Sequence, residues 1–210
     1  MKSSFIIKSI LLLCVFFFLS SDLFSQKSEE DFFNLSICKG NSVINSKTTQ
    51  ADLIKKFGKD KVKTEKLLYA EGTEEYECTI LFPGSQDSII IKWKEGRQFI
   101  EPEFAEIHGT GSMWILSNGL KIGTTLNELV KLNGKDFTFS GFGWDYGGYP
   151  NFDEGELMSD CYYIRLGFDW NENYSDDLIQ KITGDIELST KNPALKKVKV
   201  SVEKITFLLN

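Results

Sequence analysis

The chain has 210 residues with 24 basic and 30 acidic side chains, a formal net charge of −6 and a hydrophobic fraction of 41%, proportions that suit one globular domain or two small ones. An acidic chain lacks the basic field that a phosphate backbone requires, so nucleic acid is excluded as an expected partner. Lys55, Lys56, Lys59, Lys61, Lys63 and Lys66 are interleaved with Asp52, Asp60 and Glu65 and read as a solvated face.

The first segment reads as an address label. Lys2 and Lys8 precede an unbroken apolar run from Ile10 to Leu19, which Ser20, Ser21 and Asp22 break, and Ser25 offers a small residue for cleavage before Gln26. This is the layout of a secretory signal peptide over residues 1–25. The rival reading, a retained anchor, needs about 20 apolar residues in a helix, and the run is half that. Cys14 lies inside the apolar core rather than after a small residue at its end, so it is not read as a lipid acceptor. Removing residues 1–25 takes away Lys2, Lys8 and Asp22, a net +1, and moves the formal charge from −6 to −7. The expected destination is the periplasm or the extracellular space, with no membrane span after cleavage. Cys38, Cys78 and Cys161 then remain, and an oxidising compartment permits one disulfide among three pairings that the sequence does not rank.

The next pattern is a duplication. Residues 48–60 (TTQADLIKKFGKD) align without a gap with residues 124–136 (TTLNELVKLNGKD), sharing Thr-Thr, an acid, Leu, a β-branched residue, Lys and Gly-Lys-Asp. Thr49 and Thr125 suit helix N-caps, and the acids Asp52 and Glu128 three residues on complete capping boxes. Leu53, Ile54 and Phe57 mark one face of a short helix, with Leu129, Val130 and Asn133 in the corresponding places and Gly58 and Gly134 as stops.

After each helix the apolar period falls to two. Cys78 to Phe82 and Ser88 to Trp93 read as strands joined by a hairpin loop at residues 83–87. In the second copy Tyr162, Ile164, Leu166 and Phe168 alternate with smaller or polar residues; Val198, Val200 and Val202 alternate with polar ones, and Ile205 and Phe207 continue an apolar face. One-sided alternation belongs to antiparallel sheet with a solvated face. The expected fold is α+β, with two tandem repeats, each a short N-capped helix packed on an antiparallel β-meander: residues 26–96, a connector at 97–113 with its joint between Gly96 and Gly111, and residues 114–210.

Between helix and strand the second copy carries Gly141-Phe142-Gly143-Trp144-Asp145-Tyr146-Gly147-Gly148-Tyr149. With Trp114 and Leu120 to Thr125 upstream, this stretch resembles an exported bacterial family with no assigned function. The layout is also similar to tandem β-lactamase-inhibitor-protein-like domains and small outer-membrane assembly lipoproteins, modules that bind proteins and do not catalyse. The chain departs from them in having one evident helix per copy and no lipid-acceptor cysteine.

The same segment is the candidate site. Its glycines permit close backbone approach, and no Lys-Ser/Thr follows them, so it is not a phosphate loop. Phe142, Trp144, Asp145 and Tyr146 are the candidate binding residues, since Trp and Tyr dominate contact energy where partners dock. The structural alternative is a bulged ribbon whose rings fill the space between the copies. Asp145, Asp153, Glu154 and Glu156 could pair for glycan hydrolysis, which needs two acids about 5–10 Å apart.

Other chemistries read poorly. His108 is the single histidine and lies in the loop-like Glu106 to Gly111, so a loop role is expected over catalysis. Three cysteines and one histidine contain no knuckle pair for zinc. Asp169 to Asp177 begins like a calcium loop but has Tyr174 and Gln180 where glycine and glutamate belong, which favours an acidic turn. No cofactor or metal is expected. The expectation is a non-catalytic module touching a protein or glycan of the cell envelope, with a glycan hydrolase as the alternative.

Overall fold

The computed structural model describes residues 32–152, 154–170 and 173–209. The stretch 1–25 expected to be a signal peptide, together with Asp153, Asn171 and Glu172, lies outside the described residues. The chain divides into residues 1–34 and residues 35–210. Of the first unit, Phe32 and Phe33 stack edge to face with ring centres 4.8 Å apart. Everything below concerns the second.

Its elements run β1 (Asn34–Leu35), α1 (Gln50–Phe57), β2 (Val62–Tyr69), β3 (Glu74–Leu81), β4 (Ile89–Trp93), β5 (Pro102–Ile107), β6 (Ile115–Leu116), α2 (Leu126–Asn133), β7 (Thr138–Ser140), β8 (Pro150–Asn151), β9 (Tyr162–Phe168), α3 (Asp176–Gln180), β10 (Glu187–Ser189) and β11 (Val200–Leu208). The fold is α+β. A six-stranded antiparallel sheet has the order β2-β3-β4-β5-β11-β9, and β10-β7-β8 form a smaller one.

Both aligned stretches are helical. Thr49 accepts from the Asp52 N–H and Thr125 from the Glu128 N–H, and each acid's carboxylate accepts in return from its threonine N–H. These bonds satisfy first-turn donors that have no partner within the helix. Gly134 ends α2 in the left-handed conformation, whereas Gly58 ends α1 at φ 86° and ψ 158°, a positive-φ conformation outside the left-handed helical region that glycine adopts readily.

The register sorts the large sheet into two faces. Ile89 and Ile91 on β4, Ala105 and Ile107 on β5, Ile205 and Phe207 on β11, and Tyr162 and Ile164 on β9 lie opposite one another and are buried. The helices cover this face. Gln50 at the start of α1 donates to Thr79 Oγ1 on β3 at 2.9 Å, and Leu53 and Leu129 are buried beneath their helices. Alternate positions present the other face: Lys92, Phe104, Glu106, Lys204, Thr206, Tyr163 and Arg165.

One stretch differs from expectation, and the lysine-rich stretch, solvated as expected, carries a strand that the sequence did not mark. The connector 97–113 contains β5, which sits inside the large sheet between β4 and β11. Its alternation was hidden because Phe104 sets an apolar ring at an outward position and the strand opens on Pro102. The lysine-rich stretch 59–66 enters β2, an edge strand in which Val62 is buried and the lysines point to solvent; edge lysines discourage pairing with another chain. The Val200–Phe207 pattern changes parity because the β11 register slips at Glu203, a bulge that returns the apolar residues to one face.

The open cysteine question resolves to Cys38–Cys161, with Cα atoms 5.0 Å apart, and Cys78 as a buried thiol. Among the described residues, no helix is long and apolar enough to cross a membrane.

Candidate functional site

The glycine-aromatic segment forms a tight loop tied on both sides. The Gly141 N–H donates to Ile186 O at 2.7 Å, the Phe142 N–H to Ile182 O at 2.8 Å, and the Gly148 N–H to Ser140 O at 2.8 Å. On the other side, the Leu166 N–H of β9 donates to Gly148 O at 2.8 Å. Gly148 has φ +80°, and a Cβ there would lie 2.1 Å from Leu166 O, so only glycine lets the loop close on the strand.

The loop divides its rings between core and surface. Phe142 is 3% exposed and packs between Phe139 and Phe168 at 5.6 and 5.0 Å. It belongs to the core and offers no face to a partner. Trp144 is half-buried, its indole N–H donating to Gly141 O at 2.8 Å. Asp145 and Tyr146 project outward, Tyr146 with 62% of its surface open. The structural reading thus holds for Phe142, while Trp144, Asp145 and Tyr146 keep surface open to solvent.

A groove of about 290 Å³ runs beside the loop, lined by Trp144, Asp145, Arg165, Trp170, Glu203 and backbone of β9. Arg165 is its fixed point: the guanidinium donates to Gly147 O at 3.0 Å and Trp144 O at 3.3 Å, and sits 3.3 Å from the Glu203 carboxylate. Glu203 is the bulge residue of β11. Its carboxylate lies across β9 where Gly167 leaves room, since a Cβ on Gly167 would come within 2.0 Å of Glu203 Oε2. Trp170, 57% exposed, extends a ring series from Phe142 through Phe168, with ring centres 5.0 and 4.2 Å apart.

Of the acids expected near Asp145, Asp153 lies outside the described residues. Glu154 and Glu156 are exposed and do not line the groove; the Glu156 N–H donates to Asn133 O at 3.1 Å, placing it at the end of α2. The groove's second carboxylate is instead Glu203, and its second tryptophan is Trp170. Neither was picked out in the sequence, although the parity break at Glu203 was a readable signal.

A second polar cluster occupies the open face of the large sheet. Glu106, 7% exposed, accepts from Thr206 Oγ1 at 3.1 Å and Lys204 Nζ at 3.4 Å, with His108 Nε2 at 3.4 Å. Burial pushes the Glu106 carboxyl upward, but His108, Lys204 and Thr206 together outweigh it and hold the pKa below the ordinary glutamate value. Tyr69 is pushed far above its ordinary value by burial first, then by the Glu106 charge and the Cys78 thiol. Burial likewise raises Cys78, whose Sγ lies 3.9 Å from the Tyr69 hydroxyl. His108 is an exposed residue in the loop after β5, its Nε2 3.4 Å from the Glu106 carboxylate.

Cys38 and Cys161 bond to each other, and no group of three or more His, Cys, Asp or Glu among the described residues is placed to hold a metal ion. Comparison with family models, curated proteins and solved structures returns no match.

Proposed function

We propose that this protein is an exported, non-catalytic binding module of the cell envelope that engages its partner through the Trp144–Trp170 groove and the adjoining open sheet face. The observation that carries this reading is the groove: two partly exposed indoles and Tyr146 stand beside a rigidly held Arg165. Solvent-accessible aromatic rings on a preorganised backbone are the usual anchors of recognition surfaces. Export is supported by the Cys38–Cys161 disulfide, which persists in oxidising compartments, together with the apolar leader. Tandem duplication is supported by the two matched capping boxes at Thr49 and Thr125.

Co-sedimentation with isolated cell envelope tests the reading. Wild type should pellet, and a Trp144→Ala/Tyr146→Ala double variant with unchanged circular dichroism should stay in the supernatant. Failure of the wild type to pellet with any envelope fraction would remove the proposal.

One observation favours a glycan hydrolase as the second reading: Asp145 and Glu203 line the same groove. The Arg165–Glu203 ion pair argues against it, because a charge-paired glutamate is a poor proton donor. Release of new reducing ends from glycan, lost in Asp145→Asn, would decide for the enzyme.

A further inference from the structure

We propose that the Cys38–Cys161 disulfide is a reducible clasp, which a dithiol opens to free the turn at residues 36–40 while the six-stranded sheet stays folded. This inference is independent of what the protein binds. Three observations carry it.

The first is access and local strain. Cys38 and Cys161 are both half-buried, so the link lies near the surface, and exposed or strained disulfides are the labile ones. Cys38 is also held at φ 64°, the left-handed region in which a Cβ crowds the following carbonyl oxygen.

The second is unequal anchorage. Cys161 stands just before β9, where its carbonyl accepts from the Leu208 N–H at 2.8 Å. The next residue, Tyr162, is 4% exposed, and its hydroxyl donates to Leu157 O at 2.7 Å. Cys38 sits instead in a turn that closes on itself. The Lys39 and Gly40 N–H groups both donate to Ser36 O, at 3.0 and 2.9 Å, and the Ser36 N–H donates to Gly40 O at 3.0 Å. The Ile37 N–H reaches out to Ser117 Oγ at 3.4 Å, a long bond. The turn is fixed at both ends. Leu35 is fully buried, with its carbonyl accepting from the Ser117 N–H at 2.9 Å. Asn41 Oδ1 accepts from the Val43 and Ile44 N–H groups at 2.8 and 3.1 Å. Cutting the bond therefore leaves Cys161 in place and loosens only residues 36–40.

The third is the seclusion of the remaining thiol. Cys78 is buried, and burial raises its pKa, so it offers little thiolate for exchange with the opened pair. Re-oxidation accordingly rejoins Cys38 to Cys161, and the device has two states. In the opening step a thiolate of the dithiol attacks Sγ of one cysteine. A mixed disulfide forms, and the other cysteine leaves as a thiolate that takes up a proton. The second sulfur of the dithiol then displaces the first cysteine. Two electrons and two protons pass to the protein, and the dithiol departs as its own disulfide.

The test is hydrogen exchange of the intact protein at room temperature, read amide by amide by NMR before and after dithiothreitol. The bond should reduce without denaturant. The Ile37, Lys39 and Gly40 amides should then exchange at least about tenfold faster, because their bonds lie within the freed turn. The Leu208 amide, bonded to Cys161 O, should stay slow, as should those of Ile89 and Ile91 in β4. Air oxidation should restore the original rates. A Cys38→Ser/Cys161→Ser double variant should show the fast turn with no reductant present. A bond that resists dithiothreitol until denaturant is added overturns the proposal, as do unchanged rates at the three turn amides. Acceleration that also reaches Leu208, Ile89 and Ile91, in the reduced protein or in the double variant, overturns it by showing that the link holds the whole fold. Re-oxidation into a pair that includes Cys78 overturns the two-state device.

Discussion

Glu106 shows how a single carboxylate can be tied to acid sensitivity. Its pKa is held below the ordinary glutamate value, which is about 4.3, so its bonds stabilise the fold above that pH and are lost as pH falls through the depressed value. Glu106→Gln should therefore cost about 2 kcal/mol at pH 7, the usual worth of hydrogen bonds to a buried charge. The two proteins should converge in urea denaturation as the pH falls through the depressed carboxyl value. A constant difference at all pH values would mean that the carboxylate's charge is not what matters. Cys78 yields a second expectation. A buried thiol whose pKa is raised carries little thiolate, so iodoacetamide should leave the Cys78 peptide unlabelled until denaturant is added. At this scale the sequence was only partly legible. It marked the segment around Trp144 but could not separate a ring aimed at the core, Phe142, from its exposed neighbours Trp144 and Tyr146. Glu106 and Glu203 were harder still, because a charged residue within an apolar alternation looks like a strand end until the tertiary partners are known.

The short helices depend on their caps. An isolated two-turn helix is unstable in water, and both α1 and α2 begin at a threonine engaged in a reciprocal bond with an acid. Thr125→Ala should destabilise by about 1 kcal/mol and Thr125→Ser by much less, measured by chemical denaturation. Loss without rescue by serine would point to the threonine methyl instead. A second prediction concerns Gly148, where a methyl would strike Leu166 O on β9. Gly148→Ala should detach the loop and accelerate hydrogen exchange at the Leu166 amide, while exchange at the Ile89 and Ile91 amides of β4 stays slow. The helices were the most legible elements, since threonine caps, acids and glycine stops are local signals. β9 and β11 were legible from period two. β2 and β5 were not: lysines on an edge strand and the apolar Phe104 at an outward position of an interior strand both break the apolar rhythm that identifies a strand.

At the scale of the molecule, one covalent link spans 123 residues of sequence, joining Cys38 to Cys161 just before β9. Closing so long a loop removes much freedom from the unfolded chain, and native links of this kind are worth about 2–4 kcal/mol. Dithiothreitol should lower the calorimetric Tm by roughly 10 °C, and Cys161→Ser should reproduce the shift without reductant; an unchanged Tm would show that the link is dispensable. The pairing could not be chosen from sequence, because spacing says nothing about which strand ends meet. The α+β class was readable, but the place of residues 97–113 in the large sheet was not. The expected joint is a strand, and β5 pairs with β11 through Ile107–Ile205 and Ala105–Phe207. That seam has a practical meaning: cutting the chain in the turn at residues 108–113 severs no ladder, yet leaves β5 and β11 each exposing unsatisfied hydrogen-bonding groups that only the other fragment fits. Two separately expressed pieces should therefore find each other and restore the whole, which makes this protein a natural candidate for a split reporter.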